Sequence, residues 1–218
     1  MSFYPIFLND LGGRRCVVFG GGHEAERKVE GLLECGADVV VIAPDVTPGL
    51  VDHASAGQID WLAREYREGD LRDAFLAVAS ETNPAKTEPI WQEAKREKVL
   101  INAMDDVPHC TFVAGSVVRR GKLTLAISTS GAAPTLSVRL RQELEERFGP
   151  EYELFLEWMA SLREPMARDY PDFDERKKIW YELVDSDVLA LLREGNQEEA
   201  LQLSEKITGV SVTDPAAS

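Results

Sequence analysis

The chain has 218 residues, of which 44% are hydrophobic, and a formal net charge of −14. This length and composition are typical of a globular protein with one large domain or two small ones. General nucleic-acid binding requires many Lys and Arg residues to neutralise phosphates, so the acidic balance disfavours that class. The longest apolar runs are far shorter than the ~20 residues that a membrane-spanning helix needs.

The cysteine pattern favours a reducing compartment. Cys16, Cys35 and Cys110 are far apart and odd in number, so they cannot all form disulfides with one another. The first residues also lack the basic stretch and apolar run of a secretory signal. We therefore expect a soluble cytoplasmic protein.

The first hundred residues alternate between strand and helix patterns. Strands are predicted at residues 15–19, 38–43, 59–63, 75–80 and 99–102. Helices are predicted at 23–35 and 84–97. The run at 38–43 is apolar on both faces, as in a central parallel strand covered on both sides. Repeated strand–helix–strand units predict an α/β fold, a doubly wound parallel sheet of the Rossmann type, over residues 1–112.

A different pattern follows residue 112. Two strands, within 112–118 and 122–129, are joined by the turn-like "RRGK", and a helix is predicted over 135–148. Only helical patterns occur between 150 and 207. We predict a small α+β segment at 113–149, a helical C-terminal domain at 150–208 and a flexible tail at 209–218.

A glycine loop joins the first predicted strand to the first helix. Gly20, Gly21, Gly22 and Ala25 match the pattern G-x-G-x-x-A. In that pattern the first glycine allows a tight turn, the second lets the backbone approach a pyrophosphate, and a small last residue lets helix and strand pack closely. The N–H groups of the helix then face the phosphates. The context favours dinucleotide binding, with a glycine turn that only packs as the alternative.

The second predicted strand ends in "VIAPD". Asp45 follows the strand tip by two residues and could bind the ribose hydroxyls, which would favour NAD over NADP. No nearby arginine is placed to hold a 2′-phosphate. A solvent-facing loop aspartate is an equally open interpretation.

Three segments in order carry a family resemblance: "GGGHEAERKVEGLLECGADVVVIAP", "INAMDD" and "LTLAISTSGAAPTLSVRLRQELEERFG". They resemble the precorrin-2 dehydrogenase family, which includes sirohydrochlorin ferrochelatases and the N-terminal module of sirohaem synthases. The match covers roughly residues 3–150. It implies NAD-dependent oxidation of precorrin-2 to sirohydrochlorin, followed in some members by insertion of Fe²⁺ to give sirohaem. It also implies a homodimer with its contact in the middle segment. No methyltransferase segment is recognised in the sequence, so we expect another protein to supply precorrin-2.

The resemblance assigns roles to individual residues. Asp105 matches the central acid/base residue of the family. The implied cofactor contacts are Gly20, Gly21, Gly22, His23, Glu24, Pro44, Asp45 and Asn102. The chain departs from the family at "ASETN" (79–83), where an aspartate pair is common, and at Ala133, where a serine is common.

The stretch "MDDVPH" places Asp105, Asp106 and His109 after a predicted strand, where open α/β sheets bind ligands. Loss of a proton from the substrate requires a base nearby, and Asp105 is the favoured one. Asp105 or Asp106 could instead cap a following helical turn. A proton-shuttle role for His109 is a weaker hypothesis, because a lone histidine is more often structural or exposed.

Hydroxyl and cationic side chains could bind the polycarboxylate substrate. Ser128, Thr129 and Ser130 could line its site, or simply form the turn before the next helix. Arg120 is the candidate carboxylate ligand within a cationic group that also contains Arg119, Lys122, Arg139 and Arg141. A solvated hairpin tip and ordinary helix charges are the alternative. No fixed metal site is predicted, because the Cys and His residues are scattered.

Two other functions remain open. A non-catalytic NAD-sensing module would use the same glycine loop without needing Asp105. A pure chelatase would use the Rossmann domain only as a scaffold.

Overall fold

The computed structural model describes residues 3–81 and 83–212. The chain divides into two compact units, one up to Ala114 and one from Gly115 onward. Each unit has its own apolar core.

The first unit is a five-stranded parallel sheet with flanking helices. Its strands are β1 (Arg15–Phe19), β2 (Asp38–Ile42), β3 (Ile59–Leu62), β4 (Leu76–Ala79) and β5 (Leu100–Ala103). Their order is β3-β2-β1-β4-β5, and all neighbours run parallel. Its helices are α1 (His23–Leu33), α2 (Pro48–Ser55) and α3 (Pro84–Glu97). The predicted doubly wound Rossmann-type sheet is confirmed.

Alternate residues of the central strands fill two separate cores, one on each face of the sheet. Val18 and Val41 pack in a cluster with Ala25 of α1, while Val17 and Val40 pack in a cluster with Ile90 of α3. Because both faces are covered, β1 and β2 are continuously apolar rather than alternating. Burial of each large side chain contributes about 1.5–3 kcal/mol.

Helix α2 was not predicted from the sequence. It begins where the Thr47 hydroxyl accepts a hydrogen bond from the Leu50 N–H (3.4 Å), with Pro48 in the first turn. A threonine cap followed by proline is a known start signal for a helix. The eight-residue helix buries only Leu50, so its apolar periodicity is too weak to be recognised.

The second unit combines a hairpin with five helices. Strands β6 (Ser116–Arg120) and β7 (Leu123–Ile127) pair antiparallel. The helices are α4 (Pro134–Arg147), α5 (Glu151–Asp169), α6 (Phe173–Val184), α7 (Val188–Arg193) and α8 (Gln197–Thr208). The predicted α+β segment followed by helices is confirmed. Arg119 and Arg120 lie in β6 rather than in the turn, because Gly121, with φ +52°, turns the chain one residue later.

The domain boundary predicted between residues 149 and 150 falls inside this unit. Arg193 Nε donates to buried Glu151 Oε1 (2.9 Å), and Arg193 Nη2 donates to the carbonyl oxygen of Arg147 (3.1 Å). One guanidinium therefore connects α4, α5 and α7. The domain limits proposed from the sequence remain a prediction.

The predicted flexible tail begins earlier than the structure supports. Val212 N–H donates to Glu205 Oε1 (3.1 Å), and Val210 and Val212 pack against the helical core. Residues 209–212 are therefore held in place, and the rest of the predicted tail, 213–218, lies outside the described residues.

A buried carboxylate organises the segment before β4. Glu93 of α3 is only 2% exposed. It accepts hydrogen bonds from the N–H groups of Gly69 (2.9 Å) and Leu71 (3.3 Å) and from the Tyr66 hydroxyl (2.7 Å). Burial, together with the bond to Glu93, raises the pKa of Tyr66 above its ordinary range. One side chain thus satisfies three donors of an otherwise irregular segment.

We expect Glu93→Ala to lower the free energy of unfolding by about 3 kcal/mol or more, because it leaves two backbone donors without an acceptor. Tyr66→Phe removes only one donor and should cost about 1 kcal/mol. Urea unfolding measures both, with exposed Glu97→Ala on the same helix as a control that stays within about 0.5 kcal/mol. Equal losses for Glu93→Ala and Glu97→Ala would contradict this assignment.

Candidate functional site

The carboxyl ends of four strands meet at one edge of the sheet. Phe19 is level with Ile42 on one side and with Ala79 on the other, and Ala79 is level with Ala103. The connections from β1 and β3 lead to opposite sides of β1, so this edge contains the topological switch point. Open parallel sheets bind their ligands there.

Two glycines allow the strand ends to approach closely. Gly20 has φ +110°, and a Cβ there would overlap Ser80 Oγ beyond β4. A Cβ on Gly21 would overlap the carbonyl oxygen of Asp45 beyond β2. The first two glycines of the loop are therefore required by contacts within the protein itself.

Gly22 is different, because a Cβ built on it has no atom within 4 Å. It is the N-cap residue of α1, with φ −81° and no side-chain hydrogen bond. The first N–H groups of a helix lack partners inside the helix and carry a partial positive charge. Open space directly before such a helix fits a pyrophosphate.

The polar side chains that follow the glycine loop pair with one another on α1. His23 Nδ1 lies 3.3 Å from Glu26 Oε2, and Glu24 pairs with Arg27. His23, Glu24 and Arg27 are exposed, whereas the Glu26 carboxylate lies close to Gly49 of α2. A cofactor would therefore contact His23 and Glu24 through their backbone N–H groups. That both residues contact a cofactor remains a prediction.

The β2–α2 loop is fixed against the glycine loop through the main chain. Thr47 N–H donates to the carbonyl oxygen of Gly21 (2.9 Å). Pro44 and Asp45 are exposed beside this contact. The Asp45 carboxylate therefore lies at the same edge of the sheet as Gly21, and its binding to ribose remains a prediction.

A short turn after β5 carries Asp105. This residue is exposed and has φ +58°, a left-handed conformation that Asp tolerates better than most residues. The Cys110 thiol lies under the turn, 3.1 Å from the carbonyl oxygen of Ala103 and 3.3 Å from that of Asp106. Burial raises the pKa of Cys110, which keeps the thiol protonated as a donor.

Asn102 stabilises the chain that leaves this turn. It is buried, and its Nδ2 donates to the carbonyl oxygen of Phe112 (3.2 Å). The side chain therefore has a structural partner within the unit. Its predicted role as a cofactor contact remains a prediction.

The capping interpretation does not hold for Asp106. Asp106 precedes the 3-10 turn Val107–His109, but its side chain makes no capping bond. Its carboxylate instead pairs with His109 Nδ1 at 2.6 Å, and His109 Nε2 lies 3.4 Å from Glu88 of α3. His109 is thus not a lone histidine. Ser80, Glu88 and Cys110 were missed in the sequence, because contacts over such separations leave no local pattern.

The predicted substrate residues lie in the second unit. Ser128 Oγ accepts a hydrogen bond from the Ser130 N–H (3.1 Å), and Thr129 Oγ1 accepts one from the Ala133 N–H (3.2 Å). Ala133 is the N-cap residue of α4 and offers no side-chain cap. These two hydroxyls form the turn before α4, as the alternative interpretation stated, and substrate binding by Ser128, Thr129 and Ser130 remains a prediction.

Three of the proposed cationic residues have partners within their own unit. Arg120 Nη2 donates to the carbonyl oxygen of Glu145 (3.1 Å). Arg139 and Arg141 pair with acidic residues one turn further along α4, at 3.8 and 2.5 Å. The two helix arginines fit the interpretation as ordinary helix charges. A carboxylate contact by Arg120 remains a prediction.

Within residues 3–81 and 83–212, no group of three or more His, Cys, Asp and Glu side chains is arranged to hold a metal ion. The same part of the chain contains no helix with the length and hydropathy needed to cross a membrane.

The fold and the glycine loop define the first unit as an NAD(P)-binding Rossmann domain. A family described as "Putative NAD(P)-binding" matches residues 7–116. "Sirohaem biosynthesis protein central" matches 120–147, and "Sirohaem synthase dimerisation region" matches 151–207. The chain belongs to the precorrin-2 dehydrogenase and sirohaem synthase family, as the sequence resemblance indicated.

Similar proteins carry matching descriptions. Siroheme synthase 3 of Aeromonas hydrophila is 32% identical over 208 residues, covering 95% of this chain and 44% of that protein. A siroheme synthase of Neisseria meningitidis serogroup C is 32% identical over 96% of this chain and 44% of its own length. A solved structure described as "SirC, precorrin-2 dehydrogenase" has 28% identity and a TM-score of 0.73, covering 94% of this chain and 100% of that one. The chain thus spans less than half the length of these two curated relatives.

The family description assigns dimerisation to residues 151–207. The resemblance noted in the sequence assigned the dimer contact to the middle segment at 113–149. The two assignments differ, and all but residues 113 and 114 of these regions belong to the second unit.

Single alanine substitutions in the glycine loop should separate cofactor binding from folding. Gly22→Ala fits its backbone and surrounding space, so we expect only a small fall in melting temperature, from the poorer N-cap preference of alanine, with an NAD⁺ affinity at least about tenfold weaker, equivalent to ~1.4 kcal/mol. Gly20→Ala should lower the melting temperature as well, because of its φ and its overlap with Ser80. Calorimetric titration and thermal unfolding measure the two effects. Wild-type affinity in Gly22→Ala would contradict the placement of the pyrophosphate.

Proposed function

We propose that the protein oxidises precorrin-2 to sirohydrochlorin with NAD⁺, in the sirohaem pathway. The observation that carries this proposal is the exposed Asp105 carboxylate, held in a fixed turn at the same sheet edge as the glycine loop. Membership in the family and similarity to a structure described as a precorrin-2 dehydrogenase support it.

The reaction removes one hydride and one proton from the substrate. The nicotinamide, when bound, accepts the hydride. The chain must therefore supply orientation and a proton acceptor. Asp105 is the proposed acceptor, since its carboxylate is exposed at the edge where the sheet binds ligands.

We expect Asp105→Asn to lower kcat by about 10²–10⁴-fold, the range typical of a lost general base. Asparagine adopts positive φ readily, so the variant should keep the turn and the NAD⁺ affinity. The assay follows sirohydrochlorin absorbance after mixing protein, precorrin-2 and NAD⁺.

Asp105→Gly is the matched control, because glycine also tolerates this backbone and also lacks the carboxylate. It should show a loss similar to that of Asp105→Asn. Full activity in either variant would remove Asp105 as the base. Absence of NAD⁺-dependent product with the wild type would exclude the dehydrogenase proposal and favour the NAD-sensing module.

Iron insertion is a second candidate activity. The relatives described as siroheme synthases favour it. In that reaction Fe²⁺ is a substrate that replaces two pyrrole protons of sirohydrochlorin. Adding Fe²⁺ or Co²⁺ to sirohydrochlorin under anaerobic conditions, without NAD⁺, tests chelation separately. A change in the tetrapyrrole spectrum that depends on the protein supports chelatase activity, and a spectrum identical to the protein-free control excludes it.

We propose a homodimer formed through the second unit. The family's dimerisation region supports this, and large apolar side chains are exposed on two of its helices: Leu136 (50%) and Val138 (44%) on α4, and Phe173 (66%) and Tyr181 (60%) on α6. These side chains are candidates for the contact, since apolar groups that cluster on a surface are typical of protein–protein interfaces.

The two assignments of the dimer region make different predictions. Replacing Leu136 and Val138 with serine should give monomers if the contact lies at 113–149. Replacing Phe173 and Tyr181 with serine should do so if it lies at 151–207. Light scattering of the eluted protein measures the mass. A monomeric wild type would exclude the dimer itself.

The proposed location is a reducing cytoplasm, since Cys16, Cys35 and Cys110 are all free thiols. Cys16 is fully buried in β1. Its burial, together with the nearby Asp38 and Cys35, raises the pKa of Cys16 to about 11. A thiol of this kind is inert, as expected of a packing residue.

A further inference from the structure

His109 is held between carboxylates on two different elements. Its Nδ1 lies 2.6 Å from Asp106 Oδ2, in the same turn as Asp105, and its Nε2 lies 3.4 Å from Glu88 Oε2 on α3. The ring also packs edge-on against Trp91 of α3, with the ring centroids 5.3 Å apart. One side chain therefore connects the turn to a helix that packs on the sheet.

The turn closes on itself through its main chain. His109 N–H donates to the carbonyl oxygen of Asp106 (2.9 Å), and Cys110 N–H donates to that of Val107 (3.1 Å). These bonds fix the shape of the segment from Asp106 to Cys110. The contacts of the His109 ring with Glu88 and Trp91 fix where this segment lies against α3.

We propose that His109 is a positioning residue for Asp105. By bridging Asp106 and Glu88, it fixes the turn that presents the Asp105 carboxylate in its left-handed backbone conformation. The effect on the reaction rests on the proposed dehydrogenase function, whereas the effect on the turn does not. His109 itself exchanges no proton with the substrate in this role.

The chemistry of the ring defines what each substitution removes. The two ring nitrogens face different carboxylates, Nδ1 that of Asp106 and Nε2 that of Glu88. In His109→Asn, the amide nitrogen stands near the position of Nδ1 and can still donate to Asp106. In His109→Gln, it stands near the position of Nε2 and can still donate to Glu88. His109→Leu removes both ring nitrogens and keeps an apolar side chain against Trp91.

We expect His109→Leu to lower kcat by about ten- to a hundredfold, the scale of a small misplacement of a reacting group. The KM for precorrin-2 and the Kd for NAD⁺ should stay within about twofold, because the glycine loop is unaffected. The Asn and Gln variants should each recover part of the lost rate. His53→Asn on α2 is the matched control, since His53 pairs with the nearby Gln58 at 2.5 Å, and it should match the wild type.

Hydrogen exchange of the peptide spanning residues 103–112 gives a readout that does not depend on activity. Exchange should be faster in His109→Leu than in the wild type, while exchange in α1 stays unchanged. Wild-type exchange in this peptide would overturn the inference, and so would a wild-type kcat in His109→Leu when Asp105→Asn is inactive. If Asp105→Asn is fully active while His109→Leu still loosens the turn, the proposed base fails and the bridging role of His109 stands.

Discussion

The first unit depends on the close approach of three strand ends at one edge of the sheet. β1 is flanked by β4 on one side and by β2 on the other, and the residues that follow all three strands converge beside Gly20 and Gly21. A side chain at either glycine would overlap Ser80 or the backbone of Asp45. This steric constraint sets the path of the chain into α1. The helix N-terminus therefore faces the switch point, and the open space at Gly22 follows from that placement.

The turn after β5 lies at the same edge of the sheet, and side-chain contacts rather than glycines fix its shape. The glycine loop is shaped by the absence of side chains, whereas the turn after β5 is shaped by their presence. Cys110 supports the turn from below, Asn102 holds the chain that leaves it, and His109 connects it to α3. The proposed dinucleotide would be held mainly by backbone groups, and the proposed proton transfer needs a base in a defined position. The two structures match these two requirements.

The sequence predicts the sheet well because its strands are covered on both faces. The sequence shows continuous apolar runs at β1 and β2 and helical periodicity at α1. The structure has strands and a helix at these positions. The glycine pattern predicts the loop for the same reason. Helix α2 was missed because it buries only Leu50, although Thr47 and Pro48 mark its start. Arg120 was misplaced because the two-residue loop Gly121–Lys122 makes the reversal that four residues were expected to make.

The candidate site could be predicted only in part, since much of it depends on contacts between distant residues. The sequence places Asp105 at a strand end, but it does not show that Glu88 on another helix lies near His109. It also suggests that Asp106 could cap a helical turn, whereas in the structure the Asp106 carboxylate pairs with the His109 imidazole. Capping competes with other side-chain partners, and here the Asp106 carboxylate pairs with the imidazole at 2.6 Å rather than with a backbone N–H.

The backbone at residue 105 restricts the choice of residue there as strongly as the proposed chemistry does. At φ +58° glycine, asparagine and aspartate are accommodated most readily, and bulky or β-branched side chains are strained. Of those three, only aspartate has a carboxylate to accept a proton. Glutamate would keep the carboxylate but would fit the left-handed conformation poorly and would extend it by one methylene. The turn and the proposed reaction therefore favour the same residue at position 105 for independent reasons.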